Sequence, residues 1–209
     1  MSIQPLATAC LLLGTLVAAG CTPSDAPTDP DSPTPDAAVS DTPASDTPAP
    51  DSAAAAAAIA PKLASLEEVQ KHIQSLGRPA VVDYWSLACQ PCMDEFPGLV
   101  RLHEQHGERV ACMAVDVDFD GRKSKPPESY QEAVTAFLTE QQATFPSYIC
   151  TTPSEDVYAS LEIDSIPTVF VFAADGTVAK KFVDAGDTAG FSYADDVMPF
   201  VEQMLAETP

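Results

Sequence analysis

Val81-Val82-Asp83-Tyr84-Trp85-Ser86-Leu87-Ala88-Cys89-Gln90-Pro91-Cys92 is the stretch on which the fold turns. Ala80 to Trp85 is rich in β-branched and aromatic residues and predicts a short strand. Met93 to His106 reads as a helix, with Phe96, Leu99, Val100 and Leu102 apolar and Pro97 expected to kink it. The two cysteines therefore sit where a strand gives way to a helix. A thiol there has exposed amide donors and the positive end of the helix dipole beside it, which favour thiolate over thiol. The i to i+3 spacing puts Cys92 one turn along the same face, near enough to close a disulfide. Pro91 has no amide hydrogen to lose in the first turn. The competing reading is half of a zinc site, which needs a second ligand pair. Cys112 and Cys150 stand alone, and His72, His103 and His106 form no second knuckle, so the pair reads as redox-active.

Working outward, Leu66, Val69, Ile73 and Leu76 recur at helical spacing, and Ser65 with Glu68 has the capping-box order. A helix over 65–76 that stops at Gly77 is predicted. Downstream, Val110 to Val117 reads as a strand, followed by a charged loop holding Asp120-Gly121 and Pro126-Pro127 and a helix over 128–141. Ser147 to Cys150 is a short strand and 154–162 a helix. Thr168 to Phe172 and Thr177 to Phe182 are strands joined by the turn signal Asp175-Gly176. A last helix spans 193–206 with Pro199 inside it. This order implies an α/β fold, helices on a mixed sheet.

The quoted stretch resembles the active-site strand and turn of thioredoxins, and Asp94-Glu95-Phe96-Pro97-Gly98-Leu99 is similar to the run after the second cysteine in the TlpA/ResA-type branch of that superfamily. Ser165-Ile166-Pro167-Thr168-Val169-Phe170 matches the second signature, a cis-proline loop facing the cysteines. One departure is Ala88, where the family usually has an aromatic; Trp85 fills the deeper tryptophan position. The resemblance implies a thioredoxin fold, a central mixed sheet flanked by helices. It also implies roles: Cys89 the exposed attacking thiolate, Cys92 the resolving thiol, and Asp83 the buried acid that accepts the proton of Cys92. Trp85, Gln90, Pro91, Ile166 and Pro167 are the expected substrate contacts, with the Ile166 backbone pairing with a client strand. No cofactor is implied.

Several other residues have plainer readings. His103 and His106 read as a solvated helix face. Cys112 and Cys150 read as core thiols. Asp116, Asp118 and Asp120 alternate as in a calcium loop, but the glycine and glutamate such a loop needs are misplaced, and a strand running into a loop explains them.

Composition bounds the rest. With 31 Asp plus Glu against 10 Lys plus Arg in 209 residues, the chain carries a formal charge of −21. That excludes nucleic acid as the main partner, because a polyphosphate needs a basic face. Residues 22–61 hold nine Pro, seven Asp, no Lys or Arg and an alanine run from Ala53 to Ala58, so 21–61 is expected to be a disordered linker. Polyproline-like extension of about 40 residues would reach roughly 120 Å. The remaining 62–209 keeps 24 acids against all 10 bases and is long enough for one core, the thioredoxin-like domain.

At the N-terminus, Leu6 to Ala19 is apolar and is followed by Gly20-Cys21, the pattern of an export signal over 1–20. Val17-Ala18-Ala19-Gly20-Cys21 resembles a bacterial lipobox, which implies lipidation of Cys21. The sequence thus leads to an extracytoplasmic thiol-disulfide oxidoreductase, lipid-anchored to a bacterial membrane on the periplasmic or cell-surface side and monomeric. Its expected partners are protein dithiol or disulfide substrates and a membrane electron-donor protein. A reductase as in cytochrome c maturation is the first expectation; a disulfide oxidase or isomerase, and a redox-inert peptide-binding module, are the alternatives.

Overall fold

The computed structural model describes residues 60–183 and 190–207. The expectations for the signal segment, for nearly all of the linker and for Cys21 lie outside the described residues. In chain order the elements are β1 (Lys62–Ala64), α1 (Leu66–Ser75), β2 (Ala80–Trp85), α2 (Gln90–His106), β3 (Ala111–Asp116), a 3-10 turn (Pro127–Tyr130) and α3 (Gln131–Glu140). They continue with β4 (Ser147–Cys150), α4 (Ser154–Leu161), β5 (Thr168–Phe172), β6 (Val178–Val183), a π turn (Tyr193–Val197) and α5 (Met198–Glu207).

Six strands form one sheet in the order β1-β4-β3-β2-β5-β6. β1, β4, β3 and β2 run parallel, while β5 and β6 pair antiparallel. β2 lies inside the sheet and all six of its residues are buried, which accounts for its lack of polar alternation. Its odd positions Val81 and Trp85 pack with Cys112, Ala114, Val169 and Val171 against α2, α3 and α5. Its even positions Val82 and Tyr84 pack with Met113, Val115 and Phe170 against α1 and α4. The result is a thioredoxin-like α/β sandwich with helices on both faces.

The same alternation fixes the extra cysteines. Cys112 belongs to the first face and Cys150 to the second, both buried and free. A sheet separates them, so the residues are core thiols.

Local chemistry sets the element ends. Ser65 caps α1 by accepting from Glu68 N, and Glu68 Oε2 accepts from Ser65 N at 2.7 Å; a cap of this kind stabilises by about 1 kcal/mol. Gly77, just past α1, has φ +60, a region where a side chain would be strained. Gly176 has φ +81 in the predicted β5–β6 turn, where Asp175 Oδ1 accepts from Thr177 N at 2.9 Å.

At three places the elements that form differ from the sequence expectation. β1 was not predicted: three residues carry no periodicity, and Lys62–Ala64 becomes a strand only by pairing with Tyr148–Cys150. The helix expected over 128–141 begins as a 3-10 turn, with Pro127 at its start. The helix expected over 193–206 begins as the π turn, and Pro199 falls in the first turn of α5, where its missing amide is tolerated.

Candidate functional site: a cysteine pair and a buried carboxyl

Cys89 is the N-cap of α2, and its sulfur accepts from Cys92 N at 3.2 Å. The helix therefore starts at Gln90, earlier than periodicity indicated, and the cysteine pair closes around its first turn. Cys89 and Cys92 are disulfide-bonded, with Cα atoms 5.3 Å apart. Cys89 is partly exposed while Cys92 is buried at 1% exposure, so only Cys89 is presented to a partner.

The Ile166-Pro167 peptide bond is cis. The Ile166 carbonyl oxygen lies 3.6 Å from Cys89 Sγ. A disulfide sulfur has no proton, so this is a contact in the oxidised state; the reduced thiol can donate to the same oxygen. Ile166 is partly exposed and Pro167 buried. Gln90 and Pro91 are exposed beside the pair, and Gln90 Nε2 donates to Asp94 Oδ1 at 2.8 Å. Trp85 requires a correction. It is only 1% exposed, with its ring 5.1 Å from Phe96 and 4.7 Å from Phe137, so it supports the active-site turn from beneath and cannot touch a substrate.

Asp83 is 1% exposed and, like Val81 and Trp85, faces the side of the sheet that buries Cys92. Its Oδ2 accepts from Tyr193 Oη at 2.8 Å, and its Oδ1 has no hydrogen-bond partner among the described residues. Burial pushes the carboxyl up to about 7, the Tyr193 hydrogen bond opposes that rise, and the nearby Glu95 charge adds to it. A carboxyl so placed changes protonation near neutral pH, as a proton acceptor for a buried thiol must.

Three participants carried little sequence signal. Tyr193 is 110 residues from Asp83 in a polar stretch, and nothing in that stretch marks it. Glu95 was quoted only as part of a motif; its Oε2 accepts from Tyr193 N at 2.9 Å and ties α2 to the π turn. Asp118, read as an ordinary loop acid, pins the active-site turn: Oδ1 accepts from Ser86 Oγ at 2.6 Å and Oδ2 from Leu87 N at 2.8 Å. Ser86 Oγ in turn accepts from Ala88 N at 3.0 Å. Asp116 beneath it is fully buried, and burial first, then the Asp118 carboxylate, push it up to about 9.

A groove of about 480 Å³ is lined by Ser86, Asp118, Ser154, Tyr158 and Ile166 among others, and Ile166 is the lining residue whose carbonyl lies against Cys89 Sγ. His103 is half-buried with its ring 5.4 Å from that of Phe145, and His106 Nε2 lies 3.4 Å from Glu202 Oε1. Among the described residues no three His, Cys, Asp or Glu side chains gather as a metal site would require.

No family model matches the chain. It is similar to thioredoxin-like protein YneN of Bacillus subtilis, 24% identical over 102 residues, covering 49% of this chain and 54% of that one. It is also similar to thiol-disulfide oxidoreductase ResA of Bacillus cereus, 23% identical over 108 residues, covering 51% and 56%. The chain thus spans about half the length of these curated relatives, which are by name a thioredoxin-like protein and a thiol-disulfide oxidoreductase. Among solved structures, a secreted Mycobacterium tuberculosis disulfide oxidoreductase homologous to E. coli DsbE aligns with TM-score 0.49 and 19% identity, over 70% of this chain and 98% of that one.

Proposed function

We propose that the protein is a thiol-disulfide oxidoreductase that reduces protein disulfides outside the cytoplasm, tethered to a membrane through Cys21 and the Pro/Asp-rich segment after it. The observation that carries the reading is the Cys89–Cys92 pair on the first turn of α2, with the cis-proline carbonyl of Ile166 3.6 Å from the exposed sulfur. Similarity to a relative named thiol-disulfide oxidoreductase supports it.

In the reduced protein, Cys89 thiolate attacks a client disulfide. One client sulfur leaves as thiolate, and the other stays bonded to Cys89. Cys92 then gives its proton to Asp83 Oδ1 and attacks Cys89 Sγ. The Cys89–client bond breaks, the Cys89–Cys92 bond forms, and the second client thiolate leaves and takes up a proton. Two electrons have passed from the cysteine pair to the client. An external dithiol donor returns them, because an oxidising compartment does not reset the pair by itself. Meanwhile the client backbone lies along Ile166, as an added strand would.

Reduction of insulin by the full chain, fed by a dithiol, tests the activity. Cys89→Ser is expected to abolish turnover, and Cys92→Ser to trap clients as mixed disulfides. A chain whose wild-type form reduces nothing would be the peptide-binding module. The reduction potential sets direction: a value near that of thioredoxin, about −270 mV, fits a reductase, and one near about −120 mV fits an oxidase.

A further inference from the structure

Tyr193 enters the site from the far end of the chain, on the π turn ahead of α5. It is fully buried and lies against the helix that carries the cysteines. The close approach depends on Gly98 of α2: a Cβ at that position would lie 2.2 Å from Tyr193 Cβ. The Tyr193 amide is held by Glu95 Oε2 at 2.9 Å, and its hydroxyl donates to Asp83 Oδ2 at 2.8 Å. The Glu95 anchor and the glycine hollow thus aim the phenol at one oxygen of the carboxyl. That leaves Oδ1 as the oxygen without a partner among the described residues.

We propose that Tyr193 is a positioning residue for the thiol-disulfide exchange: its hydroxyl fixes the Asp83 carboxyl so that Oδ1 takes the proton of Cys92, and it holds that carboxyl in the ionised form the transfer requires. The proposal rests on the reading of Asp83 as proton acceptor. A donor to a carboxylate stabilises the charged form, so the phenol works against the burial that raises Asp83. The other groups around the pair do not supply this. Glu95 of α2 is acidic and raises Asp83; Cys112 of β3 bears on Tyr193 and is itself pushed up by burial; β5 places Val169 opposite Asp83 in register. Burial also raises Tyr193 well above its ordinary value, so the phenol keeps its proton and remains a donor.

The test uses the full chain with Cys10→Ser and Cys21→Ser, reduced and mixed with 5,5′-dithiobis(2-nitrobenzoate). Cys89 attack releases one thionitrobenzoate, and Cys92 attack on the resulting mixed disulfide releases the second. The second phase is followed by stopped flow from pH 5 to 10. The wild-type rate is expected to climb through a midpoint near 7, as Asp83 ionises. Tyr193→Phe, which removes one oxygen, should move that midpoint up by about one to two pH units and leave the first phase unchanged. Difluorotyrosine at position 193, a stronger donor in an unaltered fold, should move it down. In an Asp83→Asn background, Tyr193→Phe should add no further change. A Tyr193→Phe profile that keeps the wild-type midpoint, whether at equal or uniformly lower rate, overturns the proposal while the Asp83 reading stands. An Asp83→Asn profile identical to wild type overturns the Asp83 reading, and the Tyr193 proposal with it.

Discussion

The four cysteines of the described residues differ in what surrounds each sulfur, and the difference sets their order of reactivity. Cys89 is partly exposed at the start of α2, where the helix dipole favours a thiolate. Cys92 is buried one turn below it. Burial pushes Cys112 up to about 12 and also raises Cys150. Alkylation of the reduced chain near neutral pH is therefore expected to label Cys89 first, read by peptide mass; first labelling of Cys92 would reverse the assigned roles.

Asp83 couples the stability of the fold to pH. An unfolded Asp ionises near 4, whereas the folded carboxyl holds its proton to about 7. Between those values the folded state binds more protons than the unfolded one, so the group's contribution falls as pH rises through that window and stays lost above it. Asp83→Asn cannot ionise. It should be more stable than wild type by a few kcal/mol at pH 8.5 and close to it at pH 4.5, by urea unfolding at both. Equal stability at both pH values would mean that Asp83 ionises freely in the fold.

Among the elements, α2 carries most of the arrangement. Its first turn holds the disulfide, Glu95 reaches the π turn, Phe96 packs on Trp85, and Gly98 admits Tyr193. Gly98→Ala would drive a methyl into the Tyr193 side chain. It should cost roughly 1–3 kcal/mol, the range for overpacking, and lower the melting temperature, whereas a mere loss of helix-interior glycine would raise it. The local part of this region was legible in sequence, because the strand-to-helix switch, the cysteine spacing and the Ile166-Pro167 motif each lie within a few residues. The parts that were not legible are long-range. Asp118 is about thirty residues from the turn it pins, Tyr193 is 110 from Asp83, and β1 exists only through its pairing with β4. Trp85 was misread for a related reason: its position in the motif was evident, but the Phe137 ring that covers it comes from α3.

Across the whole molecule, composition changes sharply between residues 22–61 and the residues that follow. Residues 22–61 are built of Pro, Asp, Ala, Ser and Thr with hardly a large apolar side chain, and such a composition contributes reach in place of stability. Deleting residues 25–58 is therefore expected to leave the melting temperature and insulin reduction of the purified chain nearly unchanged. If the chain is tethered through Cys21 as proposed, the same deletion should slow, in cells, the reduction of clients held far from the membrane, because the effective concentration of a tethered site falls toward zero once the tether is shorter than the gap. Cys21→Ser separates the anchor from the tether. If the thiol of Cys21 is the lipid attachment point, its loss removes the acyl chains, and the protein either leaves the membrane fraction or accumulates as an uncleaved precursor. Immunoblots of membrane and soluble fractions distinguish these outcomes by size. Normal processing together with unchanged membrane fractionation would show that something other than an acyl chain on Cys21 holds the dithiol at the membrane.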